Sequence, residues 1–107
     1  MRVRQSVNAL NVWNASVAAR ITTPTLIVRG EFDTGQGGLQ HVAELYDLIQ
    51  NDNKLRLTVQ CSGHYMPWES QRRALHHISL QWLKHGRVSD LDRGEYFVDM
   101  EGNLRPM

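Results

Sequence analysis

Pro24-Thr25-Leu26-Ile27-Val28-Arg29-Gly30-Glu31-Phe32-Asp33 is the stretch whose reading decides the fold. From Thr25 to Val28 the residues are β-branched or apolar without interruption. Continuous hydrophobicity, as opposed to alternation, predicts a strand covered on both faces, as in a parallel sheet. Pro24 closes the preceding element, because its ring pushes the residue before it out of the helical region. Gly30 opens a loop that runs to Gly38 and contains four glycines, and Asp33 stands in it just past the strand.

Toward the N-terminus, about Val3 to Ala19 predicts an amphipathic helix with Val3, Val7, Leu10 and Val17 on one face and Trp13 beside them. Toward the C-terminus, a helix is predicted from about Leu39 to Gln50, with Leu39, Val42, Leu45, Tyr46 and Ile49 as its core face. Asn51-Asp52-Asn53 turns the chain into a second strand, about Leu55 to Gln60. There Leu55, Leu57 and Val59 alternate with Arg56 and Thr58, which predicts a strand nearer the edge with one side partly solvated. Cys61-Ser62-Gly63-His64 is a loop. Pro67 suits the first turn of a helix that continues to about His85 and buries Leu75, Ile78 and Trp82. Gly86 ends it in a left-handed conformation, and Lys84 and His85 suit the negative end of its dipole. Beyond, Tyr96 and Val98 alternate before Glu101-Gly102-Asn103, a pattern that predicts a small hairpin.

The expected fold class is α/β: a strand-helix-strand-helix unit over 21–86, a preceding helix over 1–20 and a short β-rich tail over 87–107. With 107 residues the chain holds one domain and not two. The strand–helix–strand order predicts two parallel strands, yet two are too few. A strand apolar on both faces needs neighbours on both sides. The domain is therefore expected to be partial, completed by a missing N-terminal region or another subunit, with a homo-oligomer as one outcome of an open sheet edge.

Composition is that of an ordinary globular chain, 41% hydrophobic and 21% charged. A net charge of +1, with no basic block longer than Arg72–Arg73, argues against nucleic acid or an anionic membrane as partner. No apolar run approaches the ~18–20 residues that span a bilayer. The first residues lack the apolar stretch of a secretory signal. Cys61 is the lone cysteine, so an internal disulfide is excluded and a reducing cytoplasm is the default expectation.

In open α/β sheets, function gathers at loops following the C-terminal ends of strands. Asp33 and His64 occupy those two loops. Placed on neighbouring strands, a carboxylate there could orient one imidazole nitrogen while the other takes a proton from a nucleophile. The stretch Pro24 to Asp33 resembles the α/β-hydrolase strand that ends in G-x-x-D and presents the triad acid. Ser62-Gly63-His64 resembles the later turn that presents the triad histidine. Their separation of 31 residues leaves room for one helix and one strand, and the long helix with Trp82-Leu83 near its end matches too. The likeness covers roughly Ile21 to Gly86.

That resemblance implies the C-terminal part of an α/β-hydrolase fold, with Asp33 as the acid and His64 as the general base. It implies a small-molecule substrate with an ester, amide or related bond, and no cofactor. The family order places a serine upstream in a G-x-S-x-G elbow. The 32 residues before Asp33 contain neither that motif nor a strand to hold it, and Ser6 and Ser16 lie in the predicted helix. Oxyanion donors are typically worth ~10²–10³ in rate each, so the isolated chain is expected to be inert. Epoxide hydrolases and dehalogenases of the same superfamily use a carboxylate nucleophile, so serine is not the sole option. The other readings are a non-catalytic remnant or interaction module associating through its exposed sheet edge, and a small α/β binding domain.

Blander roles stand beside these. Asp33 could be a loop aspartate in a Gly-rich turn, and Glu31 is a rival acid that sits off the G-x-x-D position. His64 could be structural at a helix entrance. Tyr65, Met66 and Trp68 either line a substrate pocket beside the histidine or pack the helix entrance. Glu69 either pairs with Arg72 or Arg73 or faces His64. Adjacent helical residues do not share a face, so His76 and His77 make a poor metal site, and His41 and His85 are expected to be solvated. Cys61 is expected to be a small buried residue at a strand end and not a nucleophile. The Trp13 helix is either core packing or the end of a lid.

Overall fold

The computed structural model describes residues 15–33 and 39–107. The expected N-terminal helix lies outside the described residues except for its end, Ala15–Ala18, here α1. So do residues 34–38 of the glycine loop.

The described chain is a small α/β domain. Strand β1 is Thr25–Gly30, α2 is Leu39–Leu48, β2 is Lys54–Val59, a 3-10 turn is Met66–Trp68, α3 is Arg72–His85, β3 is Gly94–Val98 and β4 is Leu104–Pro106. The four strands form one mixed sheet in the order β1-β2-β3-β4. β1 and β2 run parallel, with Gly30 opposite Val59, so the sequence's strand–helix–strand unit is present. β3 and β4 form the antiparallel hairpin expected of the tail.

Two expectations need correction. The first concerns β2, whose alternation predicted a place near the edge. Instead β2 is central, because β3 pairs with its far side in parallel, and Leu55 to Val59 are all buried. Arg56 is 5% exposed, yet it is not misplaced. Its register partner on β3 is Glu95, and Nε and Nη2 both lie 2.8 Å from the Glu95 Oε1. A charge leaves water when a partner strand supplies the opposite charge, and that partner follows 39 residues later. The second correction concerns the helix after Pro67. It is interrupted: Glu69 adopts extended backbone (φ −96°, ψ 180°), and the α-helix starts only at Arg72.

One face of the sheet is the main core. Leu55, Leu57 and Val59 pack there with Val98, Met66 and Ile78, joined by Leu26, Val28, Leu75 and Trp82. α3 covers this face with Ile78, Leu75 and Trp82, as its periodicity predicted, and Gly86 ends it left-handed (φ 67°) with its N–H on the Trp82 carbonyl. α2 lies by the opposite face, which carries Lys54, Arg56 and Thr58. Lys54 Nζ donates to the carbonyls of Tyr46 (2.6 Å) and Ile49 (2.9 Å) and stands 4.3 Å from the Tyr46 ring centroid. Burial, more than any neighbouring charge, pushes the Tyr46 phenol up. Among the described residues, no helix is long and apolar enough to cross a membrane.

Candidate functional site

Parallel pairing brings the C-terminal ends of β1 and β2 to the same rim of the sheet. The two loops leaving that rim are joined through their backbones. Glu31 N–H donates to the Val59 carbonyl at 2.9 Å, and Phe32 N–H to the Ser62 carbonyl at 2.8 Å. Such an approach is open only to glycine at position 30, where a Cβ would collide with the Ser62 carbonyl and lie 2.7 Å from that of Gly63. Asp33 then turns back, its N–H on the Gly30 carbonyl at 3.1 Å. Arg29 Nη2 donates to the Asp33 carbonyl at 2.6 Å.

The result is that Asp33 Oδ2 lies 3.2 Å from His64 Nδ1. The Asp33 side chain is 17% exposed and the His64 side chain 61%. The structure thus brings together the two residues on which the sequence reading rested. A carboxylate on Nδ1 favours the tautomer with its proton there and leaves Nε2 free to accept another. At 3.2 Å the contact is at the long end of N–H···O geometry, a common state for such contacts before a substrate binds. A carboxylate–imidazole contact whose ring is this exposed is worth only ~0–1 kcal/mol to folding. The hydrogen bonds that fix the two loops, more than the Asp33–His64 contact, therefore carry the geometry.

One aromatic side chain meets the histidine, and a second stands beyond it. Tyr65 meets the His64 ring edge-on at 5.3 Å between centroids, and Trp68 lies 6.5 Å from Tyr65. Tyr65 and Trp68 are exposed, as is Phe32 on the Asp33 side. Met66 differs from its two neighbours: it is 5% exposed and belongs to the core, so packing accounts for it.

The remaining candidates fall as follows. Glu31, the rival acid, is engaged elsewhere, with Oε1 accepting the Cys61 N–H at 3.0 Å. Cys61 was expected to be buried. It is exposed and left-handed (φ 56°), because the chain turns sharply at the end of β2. Glu69 meets neither Arg72 nor Arg73 through its carboxylate; Oε1 accepts the Gly63 N–H at 2.6 Å. His76, His77 and His85 are exposed, whereas the side chain of His41 lies outside the described residues. No cluster of three or more His, Cys, Asp or Glu residues among the described residues could hold a metal ion.

Sequence reasoning missed the supporting roles of Arg29 and Ser62. Both are buried, Arg29 at 6% and Ser62 at 0% exposure. A cation inside an otherwise apolar strand was the available signal for Arg29. Ser62 gave none, since its contribution is a backbone carbonyl.

No protein-family model, curated protein or solved structure matches the chain. The class defined by the fold is a small α/β domain with a carboxylate and an imidazole in contact at its strand ends.

Proposed function

We propose that this chain supplies the acid and base of an α/β-hydrolase site, with Asp33 orienting His64 and His64 Nε2 serving as general base. One observation carries the reading: the 3.2 Å contact between Asp33 Oδ2 and His64 Nδ1 at the joined ends of two parallel strands. The nucleophile, a hydroxyl in most such enzymes, and the oxyanion donors come from sequence beyond these 107 residues, which contain no G-x-S-x-G. His64 takes the proton as the nucleophile attacks a carbonyl carbon and returns it to the leaving group, while Asp33 stabilises the imidazolium formed between. Tyr65, exposed beside the imidazole, and Trp68, exposed next to Tyr65, suit contact with an apolar part of the substrate.

A second reading is favoured by the sheet edge. Among the described residues β1 pairs only with β2, and Leu26, Ile27 and Val28 are half-buried. An interaction module would use that edge to add a strand from a partner.

Hydrolysis of a p-nitrophenyl ester tests the first reading. The 107-residue chain alone is expected to stay at background. Expressed in frame with a segment carrying the nucleophile, it is expected to turn over, and Asp33→Asn is expected to lower kcat by roughly 10⁴-fold. Turnover by the short chain that His64→Ala abolishes would contradict the assignment of the nucleophile. Turnover by the longer chain that survives His64→Ala would overturn the reading itself.

A further inference from the structure

We propose that Glu31 and Glu69 are positioning residues, two carboxylates that clasp the 61–64 loop by its own backbone N–H groups and so set where the His64 imidazole stands. The inference rests on the Asp33–His64 reading and adds what maintains that geometry. Three successive loop residues are each fixed from outside the loop. Cys61 N–H donates to Glu31 Oε1 at 3.0 Å, the Ser62 carbonyl accepts Phe32 N–H at 2.8 Å, and Gly63 N–H donates to Glu69 Oε1 at 2.6 Å. His64 is the next residue. The two carboxylates come from opposite directions in the chain, Glu31 from the loop after β1 and Glu69 from the segment between the 3-10 turn and α3.

Local features that cost free energy become intelligible on this view. Cys61 is held at φ 56°, a conformation that costs a non-glycine residue ~1–2 kcal/mol. Such strain persists only where the surroundings over-determine it, and the Glu31 carboxylate on the Cys61 N–H is one of those determinants. Glu69 leaves helical conformation in the middle of a stretch that Pro67 and the periodicity of α3 would otherwise make continuous. That break puts its carboxylate against Gly63, where an added Cβ would lie 3.0 Å from Glu69 Oε2. A side chain at position 63 would press on the carboxylate that docks there. Carboxylate-to-N–H bonds are about twice as strong as neutral ones. They suit a loop whose imidazole must remain in place while more than half exposed.

The clasp is tested by amide hydrogen exchange and by the NMR signal of the His64 Nδ1 proton, read together in Glu69→Ala, Glu69→Gln, Glu31→Ala and Asp33→Asn. In Glu69→Ala the Gly63 amide is expected to exchange about tenfold to a hundredfold faster, and the Nδ1 proton signal is expected to vanish. Methyl signals of Leu57 and Ile78 report that the core is intact. Glu69→Gln retains an acceptor oxygen and is expected to restore the Nδ1 signal, a rescue that simple loss of packing would not produce. Glu31→Ala gives an independent readout at the Cys61 amide should Glu69→Ala fold poorly. An Nδ1 signal that survives both alanine variants, while Asp33→Asn removes it, overturns the clasp and leaves the acid–base pair standing. A signal unaffected by Asp33→Asn overturns the pair, and the clasp with it.

Discussion

β1 and β2 lie side by side, each delivers one ionisable residue to the same rim, and their sequences suggest the reverse of their positions. β1, with Leu26-Ile27-Val28, is the more apolar, yet it is half-buried at an edge of the sheet. β2 alternates with Arg56 and Thr58, yet it is central and buried from Leu55 to Val59. Position in a sheet is decided by which strands pair, not by the hydrophobicity of one strand. The polar residues of β2 face Glu95 of β3 and the α2 side. The apolar residues of β1 face, on its outer side, no strand among the described residues. Among the described residues β1 thus has one open side, and β2 is the strand that holds the sheet together.

Truncation should break this comparison most sharply. Leu57→Ala in the centre is expected to cost about 2–5 kcal/mol in chemical denaturation, whereas Leu26→Ala at the edge is expected to cost about 1 kcal/mol, because its side chain gives up less burial. Equal losses would mean the edge is covered. A smaller effect is expected at the buried cation. Glu95→Ala leaves Arg56 without its carboxylate and should cost about 1–3 kcal/mol. Replacing both members by apolar residues of similar volume should recover most of that loss. Gly30→Ala should cost about 1–3 kcal/mol, since the new methyl forces the Ser62 carbonyl away. Its distinctive sign is local: the Phe32 amide loses protection while α3 amides do not.

The smallest effect concerns the hairpin that makes β2 central. Asp99 accepts the N–H groups of Glu101 and Asn103, both at 2.9 Å on Oδ1, and Arg105 approaches Oδ2 at 3.1 Å. The Asn103 N–H above all, then that of Glu101 and the charge of Arg105, hold the Asp99 carboxyl below its ordinary value. A lowered folded-state value means that this stabilisation is present above the unfolded carboxylate range, near pH ~4. It is lost as pH falls through the folded value. Amides of Glu101 and Asn103 should therefore lose protection in acid before those of β2, and Asp99→Asn should remove that pH dependence.

Much of the local structure was legible from sequence because local rules decided it. The strand at Thr25–Val28, the face of α3 through Ile78, the left-handed Gly86 and the hairpin near Gly102 all follow from runs, periods and turn residues. The rest depended on residues far apart in the chain. The centrality of β2 required knowing that a strand beginning at Gly94 would pair beside it, 39 residues beyond Leu55 in register. The break in the helix at Glu69 coincides with a bond from the Gly63 N–H to its carboxylate, which no local rule of the sequence announces. At the site, the Asp33 and His64 positions were readable from strand ends alone, whereas the Glu31 and Glu69 carboxylates and the Ser62 carbonyl that fix their loops left no pattern in the sequence.

The most direct test is the protonation of the His64 ring in the neutral state, read from its two ¹⁵N shifts in the wild-type chain and in Asp33→Asn. The account requires the proton on Nδ1, facing Asp33, and a shift toward the Nε2-protonated form when the carboxylate is neutralised. A wild-type imidazole carrying its proton on Nε2, with no response to Asp33→Asn, would contradict it.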